Sequence, residues 1–145
     1  MSDSGRILSI DYGEKRIGLA ITDPLAITAR GFQTLINKNR GGLLRTLVDI
    51  INSNEIKKIV IGIPYSLDGS IGQMAKRVRK FSEELSTKTD VEIEEWPEEY
   101  SSEDAKKELR KLGVDFRKDK GKVDRMAAAL ILRSYLNAQP LTESL

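Results

Sequence analysis

The chain has 145 residues, the size of one ordinary domain, and can bury roughly 70% of the surface its unfolded form exposes. With 39% hydrophobic and 32% charged residues, it is too apolar to remain disordered. It contains no cysteine and no histidine, which excludes a disulfide framework, a thiolate zinc site, a cysteine nucleophile and a histidine general base. Chemistry here must use carboxylates, hydroxyls, amines or a hard metal ion.

Twenty-four basic and 22 acidic residues leave a net charge of +2, but the charges are unevenly placed. Residues 90–104 hold acids and no base, whereas Lys106, Lys107, Arg110, Lys111, Arg117, Lys118, Lys120, Lys122 and Arg125 follow almost at once. A local basic surface facing an anionic partner is expected from that placement. The opening residues are polar and lack a secretory-signal pattern, and the longest apolar run, residues 126–132, is too short to span a bilayer. The expectation is a cytoplasmic protein of one domain over residues 1–145, without membrane association, as a monomer or homodimer.

In chain order, residues 7–11 and 16–22 are β-like runs joined by Tyr12, Gly13, Glu14 and Lys15, where the glycine suits a hairpin backbone angle. Residues 27–36 continue an antiparallel sheet until Gly41 and Gly42 break the pattern. Leu43, Leu44, Leu47, Val48, Ile50 and Ile51 then recur with helical period. Residues 58–62 read as a parallel strand buried on both faces, stopped by Pro64. Ser70 caps a second helix whose Ile71, Met74, Ala75, Val78, Phe81 and Leu85 form one stripe. Residues 91–96 alternate like an edge strand. Ser101 or Ser102 caps a third helix running to Leu112, and a basic loop, 113–121, leads to a last helix over 122–136. Three strands, then helix, strand, helix, strand and two helices predict an α/β fold with a mixed five-stranded sheet flanked by helices.

Three acids stand out against this frame. Asp11 ends an otherwise apolar strand directly before a glycine turn, a pattern that a turn-capping aspartate also explains. Asp124 falls in the first turn of the last helix, where a carboxylate suits the helix dipole. Helical spacing puts it on one face with Ala128, Ile131 and Tyr135, and so aims it at the sheet. Glu98 and Glu99 follow the strand that ends at Trp96, and either is also readable as a surface residue. If the strand ends meet at one edge, Asp11, Glu98 and Asp124 form a cluster. Close carboxylates stay ionised together chiefly when they share a cation. All-oxygen ligation suits Mg²⁺ or Mn²⁺, and such a site can hold two ions about 3.5–4 Å apart for phosphodiester chemistry.

Ser9-Ile10-Asp11-Tyr12-Gly13-Glu14-Lys15-Arg16-Ile17-Gly18-Leu19-Ala20, Ile61-Gly62-Ile63-Pro64 with Asp68-Gly69-Ser70 and Gly72, and Val123-Asp124-Arg125-Met126-Ala127-Ala128 together resemble the YqgF family, also called RuvX. The likeness runs from Ile7 to Leu136. It implies an RNase H-like fold related to the RuvC Holliday-junction resolvases and a metal-dependent nuclease that trims the precursor of small-subunit ribosomal RNA, with junction resolution as the alternative. The family's three acids fall on Asp11, Glu98 and Asp124. Its usual Asp-Glu-Arg, hydrophobic, hydroxyl, hydroxyl sequence reads Pro97-Glu98-Glu99-Tyr100-Ser101-Ser102 here. Counting back from the serines sets the glutamate at Glu98 and puts Glu99 where the family has arginine, with Glu99 the other candidate ligand.

Other residues are candidates for substrate contact. Arg16, after the hairpin turn, can meet phosphate or pair with a surface acid. Ser70, in the Asp68-Gly69-Ser70 turn, can present a helix amino terminus to an anion or simply cap it. Lys118, Lys120 and Lys122 can grip a nucleic-acid backbone or stay solvated. Aromatic residues are few and scattered, so no stacking platform for single strands is visible. Two rivals remain on sequence alone. The Asp11-Tyr12-Gly13 hairpin also resembles the phosphate loop of actin-like phosphotransferases, which need a second such loop that this chain lacks. A non-catalytic nucleic-acid-binding module on the same fold is the other, and keeping all three acids argues against it.

Overall fold

The computed structural model describes residues 5–65, 72–98 and 102–139. Strands β1 (Arg6–Tyr12), β2 (Arg16–Thr22) and β3 (Ala29–Ile36) form an antiparallel meander. Helix α1 (Arg40–Ser53), strand β4 (Ile56–Ile63), helix α2 (Gln73–Ser86) and strand β5 (Glu92–Pro97) follow, then helices α3 (Ser102–Lys111) and α4 (Lys120–Ala138). The sheet has the order β3-β2-β1-β4-β5, with β4 parallel to both β1 and β5. This is the mixed five-stranded sheet expected from the sequence.

Strand alternation divides the sheet into two unlike faces. Leu8 and Ile10 of β1, Ile17, Leu19 and Ile21 of β2, and Ile59, Ile61 and Ile63 of β4 pack with α1 and α2 in one core. The intervening positions are small or short: Ser9, Gly18, Ala20, Val60 and Gly62. Across this second face lies α4, whose Ala127, Ala128, Ala129, Ile131 and Leu132 are buried, with Ala105 and Leu109 of α3 against it.

The small residues let the helix come close. A Cβ on Gly18 would lie 2.1 Å from the Asp124 carbonyl oxygen, one on Gly31 2.9 Å from the Arg125 Cβ, and one on Gly62 2.6 Å from the Ile131 Cδ1. The fully buried Ser9 hydroxyl donates to the Ala128 carbonyl at 2.7 Å, which satisfies a polar group that would otherwise be costly in this core.

Several local expectations shift. Gly13 does not adopt a positive φ; glycine is needed there because a Cβ would meet the Arg16 carbonyl oxygen at 2.5 Å. Helix α1 takes in Gly41 and Gly42, since Asn39 caps it by accepting from the Gly42 amide. Helix α2 starts at Gln73 with Gly72, not Ser70, at its N-cap position; Ser70 lies outside the described residues. Helix α4 begins two residues earlier than expected, because the Asp119 carboxylate accepts from the Gly121 amide and caps it. Lys120 and Lys122 are therefore helical, and Asp124 sits in the second turn rather than the first. Among the described residues, no helix is long and apolar enough to cross a membrane.

Replacing Gly18 with alanine drives a methyl into helix backbone that cannot rotate away. Chemical denaturation should show a loss of about 1–3 kcal/mol or more. Gly41→Ala is the control: its nearest neighbours lie 3.6 Å or farther away, and helix propensity predicts a gain of up to about 1 kcal/mol.

Candidate active site

Register places the first acid. Asp11 of β1 pairs directly with Gly18 of β2, so its side chain leaves the sheet on the face where the backbone of Asp124 fills the space above Gly18. The close approach that seats α4 thus brings Asp124 beside Asp11. Glu98 arrives from the opposite side. Its amide donates to the Ile63 carbonyl at 2.9 Å, extending the β4–β5 ladder by one residue beyond Pro97. A Cβ on Gly62 would be 3.6 Å from the Glu98 Cβ, which sets Glu98 on the α4 face as well.

The three carboxyl groups feel one another. Asp11 is held well above its ordinary value of 3.8, first by burial, then by its side-chain hydrogen bond to Glu98, and then by the charges of Glu98 and Asp124. Asp124 has a different neighbour, since Arg16 Nε donates to its Oδ2 at 2.6 Å in a half-buried ion pair. The acid expected to partner Arg16 at the sheet edge is thus one of the three site candidates.

Among the described residues, no three acidic side chains converge as placed into a ready-made metal cage. Burial and the neighbouring Glu98 favour the protonated form of Asp11, and Asp124 is turned to Arg16. The donor chemistry nonetheless fits a hard divalent cation: the charges of Glu98 and Asp124 work against ionisation of Asp11, and a cation bound among the three would remove that cost.

A cleft of about 300 Å³ adjoins Asp124 and Arg16. Lys106, Arg117 and Lys120 supply positive charge to it, and Phe116 and Val123 form its apolar wall. Of the basic candidates, Lys120 lines this cleft, whereas Lys118 does not and Lys122 turns away to donate to the Asp115 carbonyl at 3.0 Å. Arg117 is clamped by Asp115 through two hydrogen bonds of 3.0 and 3.1 Å. Ser70 and Glu99 lie outside the described residues. Sequence reasoning placed Lys106 in the basic segment but did not single it out for the site, and it missed Phe116 and Val123 as wall residues; only the excess of basic residues from Lys106 to Arg125 hinted at the cleft.

Solved structures of similar fold include Thermus thermophilus RuvC in complex with Holliday junction substrate, with a TM-score of 0.59 at 12% identity over 94% of this chain and 99% of that one. The Fowlpox virus resolvase in complex with Holliday junction DNA gives 0.56 at 12% identity, covering 92% and 97%. Sheet order, the helix laid across the small-residue face and this likeness define an RNase H-like fold of the RuvC kind. The RuvX family, described as Holliday junction resolvase, matches residues 5–138. Similar chains, each called "Putative pre-16S rRNA nuclease", come from Koribacter versatilis, 40% identical over 91% of this chain and 86% of the relative, and from Halothermothrix orenii, 37% identical over 92% and 96%. The chain belongs to the RuvX family of nucleases.

Because Asp11 keeps its proton in the folded protein at pH values where the unfolded chain has lost it, metal-free stability should fall as pH rises from about 3.8 through the raised value of Asp11. Asn at position 11 removes that dependence. Thermal melts in chelator should show Asp11→Asn gaining on the wild-type protein between acid and neutral pH; equal slopes would contradict the coupling.

Proposed function

We propose that this protein is a divalent-metal-dependent nuclease that cuts the phosphodiester backbone of RNA, with precursor small-subunit ribosomal RNA in the cytoplasm as its substrate. The observation that carries this reading is the meeting of Asp11, Glu98 and Asp124 on the α4 face at one end of the sheet, beside a cationic cleft. The names of the similar chains support RNA as the substrate.

Asp11, Glu98 and Asp124 are the residues that would hold Mg²⁺ or Mn²⁺, and such an ion supplies an activated water and charge stabilisation at the leaving oxygen. Arg16 fixes the orientation of Asp124 through its 2.6 Å contact and stands at the cleft wall, where an entering phosphate meets its remaining donors. Lys106 and Lys120 add attraction for the backbone, drawn from separate helices. The cleft walls fix where the chain of the substrate lies relative to the acids, so that binding residues and metal-holding residues are distinct sets.

Asp11→Asn, Glu98→Gln and Asp124→Asn should each lower cleavage by about 100-fold or more while the protein stays folded, and Glu99→Gln should retain activity. Assays with Mg²⁺ or Mn²⁺ on single-stranded RNA, precursor ribosomal RNA and branched DNA decide the substrate; preferential cutting of branched DNA would favour junction resolution, and no cutting a binding role. In a salt series, Lys118→Ala with Lys120→Ala should weaken binding and flatten the slope of log affinity against log salt by about 0.7 per lost phosphate contact. An unchanged slope would remove both lysines from substrate recognition.

A further inference from the structure

The cleft beside Asp124 is not built for phosphate alone. A surface that only grips a backbone needs cations, yet this one sets Phe116 and Val123 among them. Phe116 is held in place from two sides: it packs against the core beneath α4, and the Arg110 guanidinium lies 5.5 Å from its ring centre. The neighbouring cations differ in availability. Arg117 is committed to Asp115, and Lys106 reaches Glu103 at 3.2 Å. Lys120, exposed in the first turn of α4, has no ion-pair partner among the described residues. At about 300 Å³, the cleft sits at the small end of small-molecule sites and matches the size of one nucleotide.

We propose that this cleft takes one unstacked nucleotide beside the bond to be cut, with its base against Phe116 and Val123 and its phosphate on Lys120. The position of the bond to be cut rests on the nuclease reading above; the pocket itself does not. A base reaches such a wall only after leaving its stack, which costs least in single-stranded or frayed segments. The cleft therefore selects unpaired substrate, with a single aromatic ring as its apolar wall beside Val123.

Isothermal titration in chelator, where no cleavage occurs, isolates the base by comparing adenosine 5′-monophosphate with ribose 5-phosphate. The wild-type protein should bind the nucleotide about 5- to 100-fold more tightly, the range expected for one stacked base. Phe116→Leu, which preserves apolar packing, should lose most of that ratio, and Phe116→Tyr should restore it. Lys120→Ala should weaken both ligands by the same factor and leave the ratio intact. Equal affinity for the two ligands, no measurable binding of either at millimolar concentration, or a ratio untouched by Phe116→Leu would overturn the pocket. Nucleotide preference in a protein that cuts no RNA would sink the RNA-nuclease reading and leave the pocket standing; cleavage of RNA without base preference would do the reverse.

Discussion

Helix α4 can reach the sheet only because Gly18 has no side chain. The Asp124 carbonyl occupies the volume a Cβ would need, and the pairing of Gly18 with Asp11 then fixes the distance between two acids that are far apart in sequence. Gly31 and Gly62 repeat the device on β3 and β4, and the Ser9 hydroxyl fastens the helix at Ala128. Site geometry therefore depends on steric contact between backbones, which is stiffer than contact between flexible side chains.

The two faces of the sheet divide the work. Large aliphatic side chains on the α1 and α2 face provide most of the apolar burial. The α4 face gives up side-chain volume to bring a helix close, and regains contact through a run of alanines. Polar groups are affordable on this second face only with partners: Ser9 and Thr22 are fully buried, and both are hydrogen-bonded. The acids sit where this tightly packed face opens to solvent.

Electrostatics at that opening are unbalanced by design of the fold. Burial and two neighbouring carboxylates work against ionisation of Asp11, while Arg16 neutralises Asp124. Without a cation, the protonated form of Asp11 is favoured and Arg16 pairs with Asp124, and a divalent cation can take the place of both partners. Positive charge from α3 and α4 meets in the adjoining cleft and gives an anionic substrate a direction of approach.

By itself, the sequence determined the element order, the mixed sheet and the candidates Asp11 and Asp124, because alternation, helical period and an acid in an apolar strand are local signals; Glu98 was chosen over Glu99 only through the family resemblance. Strand β4 and the stripe of α2 were legible for the same reason. Helix starts were less so: Asp119 and Asn39 won as caps over the residues that mark the apolar pattern, since capping is a contest between neighbouring side chains. The Arg16–Asp124 pair, the hydrogen bond between Asp11 and Glu98, and the joining of Lys106 with Phe116 and Lys120 were decided by tertiary structure alone. Their members lie on different elements, and no pattern along the chain encodes the distance between them; that distance comes from how closely glycine lets a helix lie on a sheet.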